Sequence, residues 1–160
     1  MKLIIGNDID IYLNKQYLKN IDINDTNTLK KIIKKINKKY NIDLYGYIEV
    51  KIYIDNNYGV IINIKKEELE YFDYFNDEIE MNIEIINDSF LYKINEIYDK
   101  EQIKNKKIYK QKDNLYINID KIDNIDLGKI IETSEIIYGE KAKKIIEKND
   151  IIEVIPWKKQ

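Results

Sequence analysis

Apolar residues recur at helical spacing between 26 and 40. Leu29, Ile32, Ile33, Ile36 and Tyr40 fall at i, i+3, i+4, i+7 and i+11, which predicts one apolar stripe on a helix. Asp25 or Thr26 is placed to cap its start. The opposite face carries Lys30, Lys31, Lys34, Lys35, Lys38 and Lys39. Before the helix, Ile9–Leu13 and Tyr17–Ile23 read as short strands with a turn near Asn14-Lys15.

The period then changes from about 3.6 to 2. Leu44–Ile54 alternates, with Leu44, Ile48, Val50, Ile52 and Ile54 on one face and Tyr45, Tyr47, Glu49, Lys51 and Tyr53 on the other. Asp55-Asn56-Asn57-Tyr58-Gly59 reads as a polar turn, and Val60–Lys65 returns with Val60, Ile62 and Ile64 inward. Residues 67–80 carry Glu67, Glu68, Glu70, Asp73, Asp77, Glu78 and Glu80 without a lysine. Their apolar spacing suggests a short acidic helix. Met81–Ile86 reads as a strand, and Phe90–Tyr98 fits either period. A second hairpin is expected from Lys107–Lys112 and Leu115–Asp120, turning at Asp113-Asn114.

The C-terminal part is expected to be helical. Asp126 is read as capping a helix that presents Leu127, Ile130, Ile131, Ile137 and Tyr138, with Gly139 as its C′ residue. A second helix over 140–148 presents Ala142, Ile145 and Ile146, and Ile151–Ile155 closes as a strand. Hairpin-linked strands mixed with helices predict an α+β fold: antiparallel hairpins packed with an N-terminal amphipathic helix and a C-terminal helical pair. The expected division is a β-α-ββ part over 1–66 and an α+β part over 67–160, with one compact domain as the alternative.

Composition narrows the chemistry. The 160 residues include no His, no Cys and no Arg, and the net charge is −2. Without His the usual proton shuttle near neutral pH is missing, and without Cys there is no thiol nucleophile. Ser89 and Ser134 sit in no nucleophile elbow, and the five glycines are scattered singly, so no phosphate-cradling loop forms. The Asp8-Ile9-Asp10 pair is read as solvated turn carboxylates. Asp22-Ile23-Asn24-Asp25 begins like a calcium loop but lacks that loop's glycine and its closing Glu. No catalytic residue, no metal site and no cofactor is therefore expected, and the chain is read as non-enzymatic.

Thirty-seven Ile, 27 Lys, 19 Asn and 14 Tyr point to an AT-rich genome, which also accounts for Lys in place of Arg. Phe is equally AT-coded yet appears only three times against 14 Tyr, so the excess of Tyr is a hint of rings with one wet edge. The opening Met1-Lys2-Leu3-Ile4-Ile5-Gly6-Asn7-Asp8 is too short an apolar run for a signal peptide, and no stretch approaches the length of a membrane span. A cytoplasmic protein without membrane association is expected.

Two surfaces follow as binding candidates. Tyr45, Tyr47, Lys51 and Tyr53 form the preferred one, for a protein partner or self-association. The basic face of Lys30, Lys31, Lys34, Lys35, Lys38 and Lys39 is the second, toward nucleic acid or another anionic surface. Nucleic acid is the lesser expectation, because Arg, the preferred bidentate reader of phosphate and guanine, is missing.

The segment Leu44-Tyr45-Gly46-Tyr47-Ile48-Glu49-Val50, returning through Gly59-Val60-Ile61-Ile62, is similar to the first-domain hairpin of the MecA-type adaptors. Ile108-Tyr109-Lys110 with Leu115-Tyr116-Ile117, then a helix ending at Tyr138-Gly139, resembles that family's second half in order of elements. The resemblance spans about half the chain and implies substrate binding by the N-terminal half and docking to a Clp-type unfoldase by the C-terminal half. The chain is shorter than the family and lacks its interdomain linker, and no individual residue role carries over.

Overall fold

The computed structural model describes residues 1–66, 79–94, 106–122, 125–148 and 151–152. The chain is α+β and divides into two compact units. The first comprises Met1–Ile54 and Gly59–Asn87, the second Asp55–Tyr58 and Asp88–Gln160.

The first unit holds strands β1 (Lys2–Ile5) and β2 (Asp8–Asn14), helix α1 (Thr26–Tyr40), and strands β3 (Gly46–Asp55), β4 (Gly59–Lys66) and β5 (Ile79–Asn87). Their order in the sheet is β1-β2-β4-β3-β5. β1 and β4 flank β2 antiparallel, while β5 runs parallel to β3, with Gly46 opposite Ile79 and Ile54 opposite Asn87. Alternation decides which face of the sheet is dry. Ile9, Ile11 and Leu13 of β2, Ile48, Val50 and Ile52 of β3 and Val60, Ile62 and Ile64 of β4 form one core with Leu29, Ile33 and Ile36 of α1. Burying each such side chain contributes about 1.5–3 kcal/mol, so the helix is held to the sheet by its apolar stripe. Asp25, not Thr26, is the N-cap: its carboxylate accepts from Asn27 N at 3.0 Å and from Thr28 Oγ1 at 2.9 Å.

The second unit holds β6 (Leu91–Ile94), β7 (Lys107–Gln111), β8 (Asn114–Asn118), α2 (Ile125–Thr133), β9 (Ile136–Ile137), α3 (Gly139–Lys148) and β10 (Ile151–Ile152). Its sheet is antiparallel, in the order β10-β7-β8-β6-β9. Ala142 and Ile145 of α3 pack on Leu91, Tyr109, Tyr116 and Ile137. The register places Tyr92, Ile117 and Ile108 on the other face, and all three are buried.

Several expectations need correction. Tyr17–Ile23 is a succession of turns, not a strand. Asn14 stops β2 there: its side chain accepts from Tyr17 N at 2.9 Å, its carbonyl accepts from Leu18 N at 3.1 Å, and Asn20 is left-handed at φ 68°. Met1–Ile5, read only as a chain start, contains β1. The second hairpin turns one residue earlier than predicted, at Lys112-Asp113, with Lys112 left-handed and Gln111 opposite Asn114. The helix expected to run to Tyr138 ends at Thr133, because Ile136 and Ile137 pair with Tyr92 and Leu91 as β9. Gly139 opens α3 and does not close α2, and α2 already begins at Ile125, one residue before the expected cap Asp126.

The division also differs from the expected 66/67 boundary. β5 joins the first sheet through β3, so the first unit runs on to Asn87, while Asp55–Tyr58 belongs to the second. Of the ambiguous Phe90–Tyr98 segment, Leu91–Ile94 is strand, and the remainder after Ile94 lies outside the described residues. The acidic helix suggested for 67–80 also lies outside them, except for Ile79 and Glu80, which are strand. So does the closing strand beyond Ile152.

Candidate functional site

Tyr47, Glu49, Lys51 and Tyr53 alternate with the buried Ile48, Val50 and Ile52, so they stand on the sheet face opposite α1. All four are half-buried. The middle of this face is closed: Ile61 of β4 has 0% exposure, Tyr12 is buried, and Asn63 donates to Asp10 Oδ1 at 2.7 Å. Lys2 Nζ lies 5.4 Å from the centre of the Tyr12 ring. The tyrosine face is thus a half-covered surface, not an open platform.

Tyr45 is set apart from it. Asn41, Asp43 and Gly46 all have positive φ, at 50°, 61° and 73°, so the chain between α1 and β3 is tightly folded. Asn37 holds that connection to the helix: its Oδ1 accepts from Leu44 N at 3.0 Å and its Nδ2 donates to Leu44 O at 3.2 Å. Leu44 is buried while Tyr45, the next residue, is 64% exposed. Tyr40, the last residue of α1, is 42% exposed, and Lys39 Nζ lies 5.4 Å from its ring centre. The last turn of α1 therefore displays Tyr40, Lys38 and Lys39, and the connection fixed by Asn37 displays Tyr45.

The rest of the lysine face continues along α1. Lys31, Lys34, Lys35, Lys38 and Lys39 are exposed and Lys30 is half-buried. Among the described residues none of the six makes an ion pair. Asp25, at the other end of the helix, is held below the ordinary carboxyl value by the Thr28 hydroxyl and the Asn27 N–H.

The second unit contains a polar centre that residue patterning does not reveal. Asp55 is buried, and its Oδ2 accepts from Asn57 N at 3.0 Å, Tyr58 N at 2.9 Å and Tyr92 Oη at 3.2 Å. Its Oδ1 accepts from Phe90 N at 3.4 Å. Burial, and then the Asp55 charge and hydrogen bond, push the Tyr92 hydroxyl far above the usual phenol range. Phe90 packs between Tyr58 and Tyr138, with 6.2 Å between ring centres on each side. Asn57 Nδ2 donates to Ile119 O at 2.6 Å. A buried carboxylate with four donors is held as a structural acceptor, and the phenol beside it is kept in its neutral form. The only advance signal was the Asp-Asn-Asn turn; its distant donor was not legible.

Asp88 does similar work: Oδ2 accepts from Gly139 N at 2.8 Å at the start of α3, where a negative group is favoured. Asp8 is exposed and Asp10 is engaged by Asn63. Among the described residues no three carboxylates gather as metal ligands, and no helix is long and apolar enough to cross a membrane.

No protein-family model matches the chain, and neither the curated proteins nor the solved structures include a significant match.

Proposed function

We propose that this chain is a non-enzymatic, cytoplasmic protein-binding protein that docks its partner at the C-terminal end of α1. The observation that carries this reading is the exposure of Tyr40, Lys38 and Lys39 in the last turn of α1 and of Tyr45 on the connection that Asn37 clamps to the helix. Rigid amphipathic rings give contact area at low entropic cost, and fixing their backbone beforehand lowers the cost of binding further. The lysines favour a partner with an acidic surface. Delivery of substrates to a Clp-type unfoldase is the narrower form of the proposal suggested by the adaptor resemblance.

The test is affinity capture with the intact chain and two double variants. A partner retained by Tyr47→Ala plus Tyr53→Ala but lost by Tyr40→Ala plus Tyr45→Ala supports this site. The reverse result moves binding to the half-buried face of β3.

A second reading has its own observation: five exposed lysines on one helix, without ion pairs among the described residues, suit a polyanion. Filter binding of nucleic acid that is steeply salt-dependent and weakened by Lys34→Glu plus Lys38→Glu would support it. Absence of binding near about 50 mM salt would remove it.

A further inference from the structure

An edge strand offers a row of backbone donors and acceptors to any second strand, and proteins usually blunt such edges with charge, proline or brevity. The two sheets have four edges among the described residues, formed by β1, β5, β9 and β10. β9 and β10 are two residues long. β5 alternates with exposed Glu80, Asn82 and Glu84. β1 is less protected: it is four residues long, and its single charge, Lys2, stands at its start. Its sequence is Lys-Leu-Ile-Ile, and Ile4 and Ile5 are 42% and 58% exposed.

The pattern of β1 also indicates what fits it. Leu3 and Ile5 lie opposite Ile11 and Ile9, on the core face, and Lys2 and Ile4 lie opposite Tyr12 and Asp10, on the other. When two copies pair antiparallel about a two-fold axis normal to the sheet, residues directly opposite must share a face, so the register has to centre on a residue. Centred on Ile4, it sets Ile4 against Ile4 and Leu3 against Ile5, and it places Lys2 against Gly6. Every exposed apolar side chain of the strand then meets an apolar one, and the core row of one sheet continues into the next. Centred on Leu3, it would set Lys2 against Ile4.

From this geometry we propose that β1 is a self-association edge, joining two copies of the chain into one continuous sheet with Ile4 at the two-fold axis. Four residues per strand bury far less than the roughly 1,200 Å² of a stable interface, so the dimer is weak and concentration-dependent.

The chain contains no cysteine, which makes the test direct. Sedimentation of the 160-residue chain up to about 1 mM, the range of a weak complex, should show monomer passing to dimer. Ile4→Lys, with an unchanged circular dichroism spectrum, should stay monomeric. Ile4→Cys should oxidise to a disulfide-linked dimer, whereas Glu84→Cys on the β5 edge should not. The proposal is overturned by a monomer throughout the concentration range. It is equally overturned by a dimer that survives Ile4→Lys, or by cross-linking of Glu84→Cys as readily as Ile4→Cys.

Discussion

The hydroxyl of Tyr92 donates to the carboxylate of Asp55 across 3.2 Å, joining residues 37 positions apart in the sequence. Both are buried, and the same carboxylate gathers the N–H groups of Asn57, Tyr58 and Phe90. Four donors, three on Oδ2 and one on Oδ1, offset the cost of burying this polar group.

The two partners should not be equally sensitive to substitution. Tyr92→Phe removes one donor from an acceptor that keeps three, and should cost about 1–2 kcal/mol. Asp55→Ala strands four donors at once and should cost more, about 2–4 kcal/mol. Urea unfolding followed by near-ultraviolet circular dichroism measures both. Equal losses would show that the carboxylate is not the hub.

Alkaline pH should act through the same pair. The folded state holds the Tyr92 proton beyond the ordinary value of 10.0, so above that pH the unfolded chain binds fewer protons than the native one. Stability is then fully present below about pH 10 and falls as pH rises further. Burial raises Tyr58 in the same direction. A stability–pH series should show this decline, and Tyr92→Phe should flatten it.

Gly59 cannot accept a side chain. It lies opposite Asn14 with φ at 134°, and a Cβ there would press into Leu13 O, with Asn14 C only 3.0 Å away. Both obstacles are backbone, so the strands would have to part. Gly59→Ala should lose about 2–4 kcal/mol by strain and overpacking, read as a drop in melting temperature. Gly128→Ala, where nothing lies within 4 Å of an added Cβ, should be tolerated.

Asn37→Ala separates the clamp from the residues it displays. Losing both bonds to Leu44 should cost about 1–2 kcal/mol and loosen the connection that carries Tyr45. In the proposed docking mode, partner affinity should fall although no displayed tyrosine or lysine has changed. Calorimetry with the captured partner checks this, and unaltered affinity would show that the clamp serves the fold alone.

Acid should bear on the start of α1. The folded Asp25 carboxyl titrates below its ordinary 3.8, so its contribution is present above that pH and is lost as pH falls through the lower folded value. Asp25→Asn should keep the cap while removing this acid sensitivity, whereas Asp25→Ala should fray the helix at every pH.

Residue pattern was sufficient for α1, for the strand pair around Asn56-Asn57, for β5 and for α3. Each is specified by a period of 3.6 or 2 within its own segment, and burial followed the predicted stripes at Leu29, Ile33, Ile36, Ile48, Val50, Ile52, Val60, Ile62 and Ile64. The pattern failed at Tyr17–Ile23, where one asparagine side chain redirected an apolar run into turns. It failed again at Ile136–Ile137, where pairing with β6 outweighed a helical repeat. Of the four hairpin residues chosen as a binding face, their alternation was legible but their exposure was not: Tyr45 is open, whereas Tyr47, Lys51 and Tyr53 are half-buried.

Local order along the chain thus determined which segments are helix or strand and which side of each is apolar, because both properties repeat within a few residues. Tertiary structure alone decided that Asp55 is buried beneath Tyr92, that Asn37 holds Leu44, and that β1 is left at an edge with its isoleucines exposed. Each of those depends on a partner, or on the lack of a neighbouring strand, that the spacing of residues along the chain does not specify.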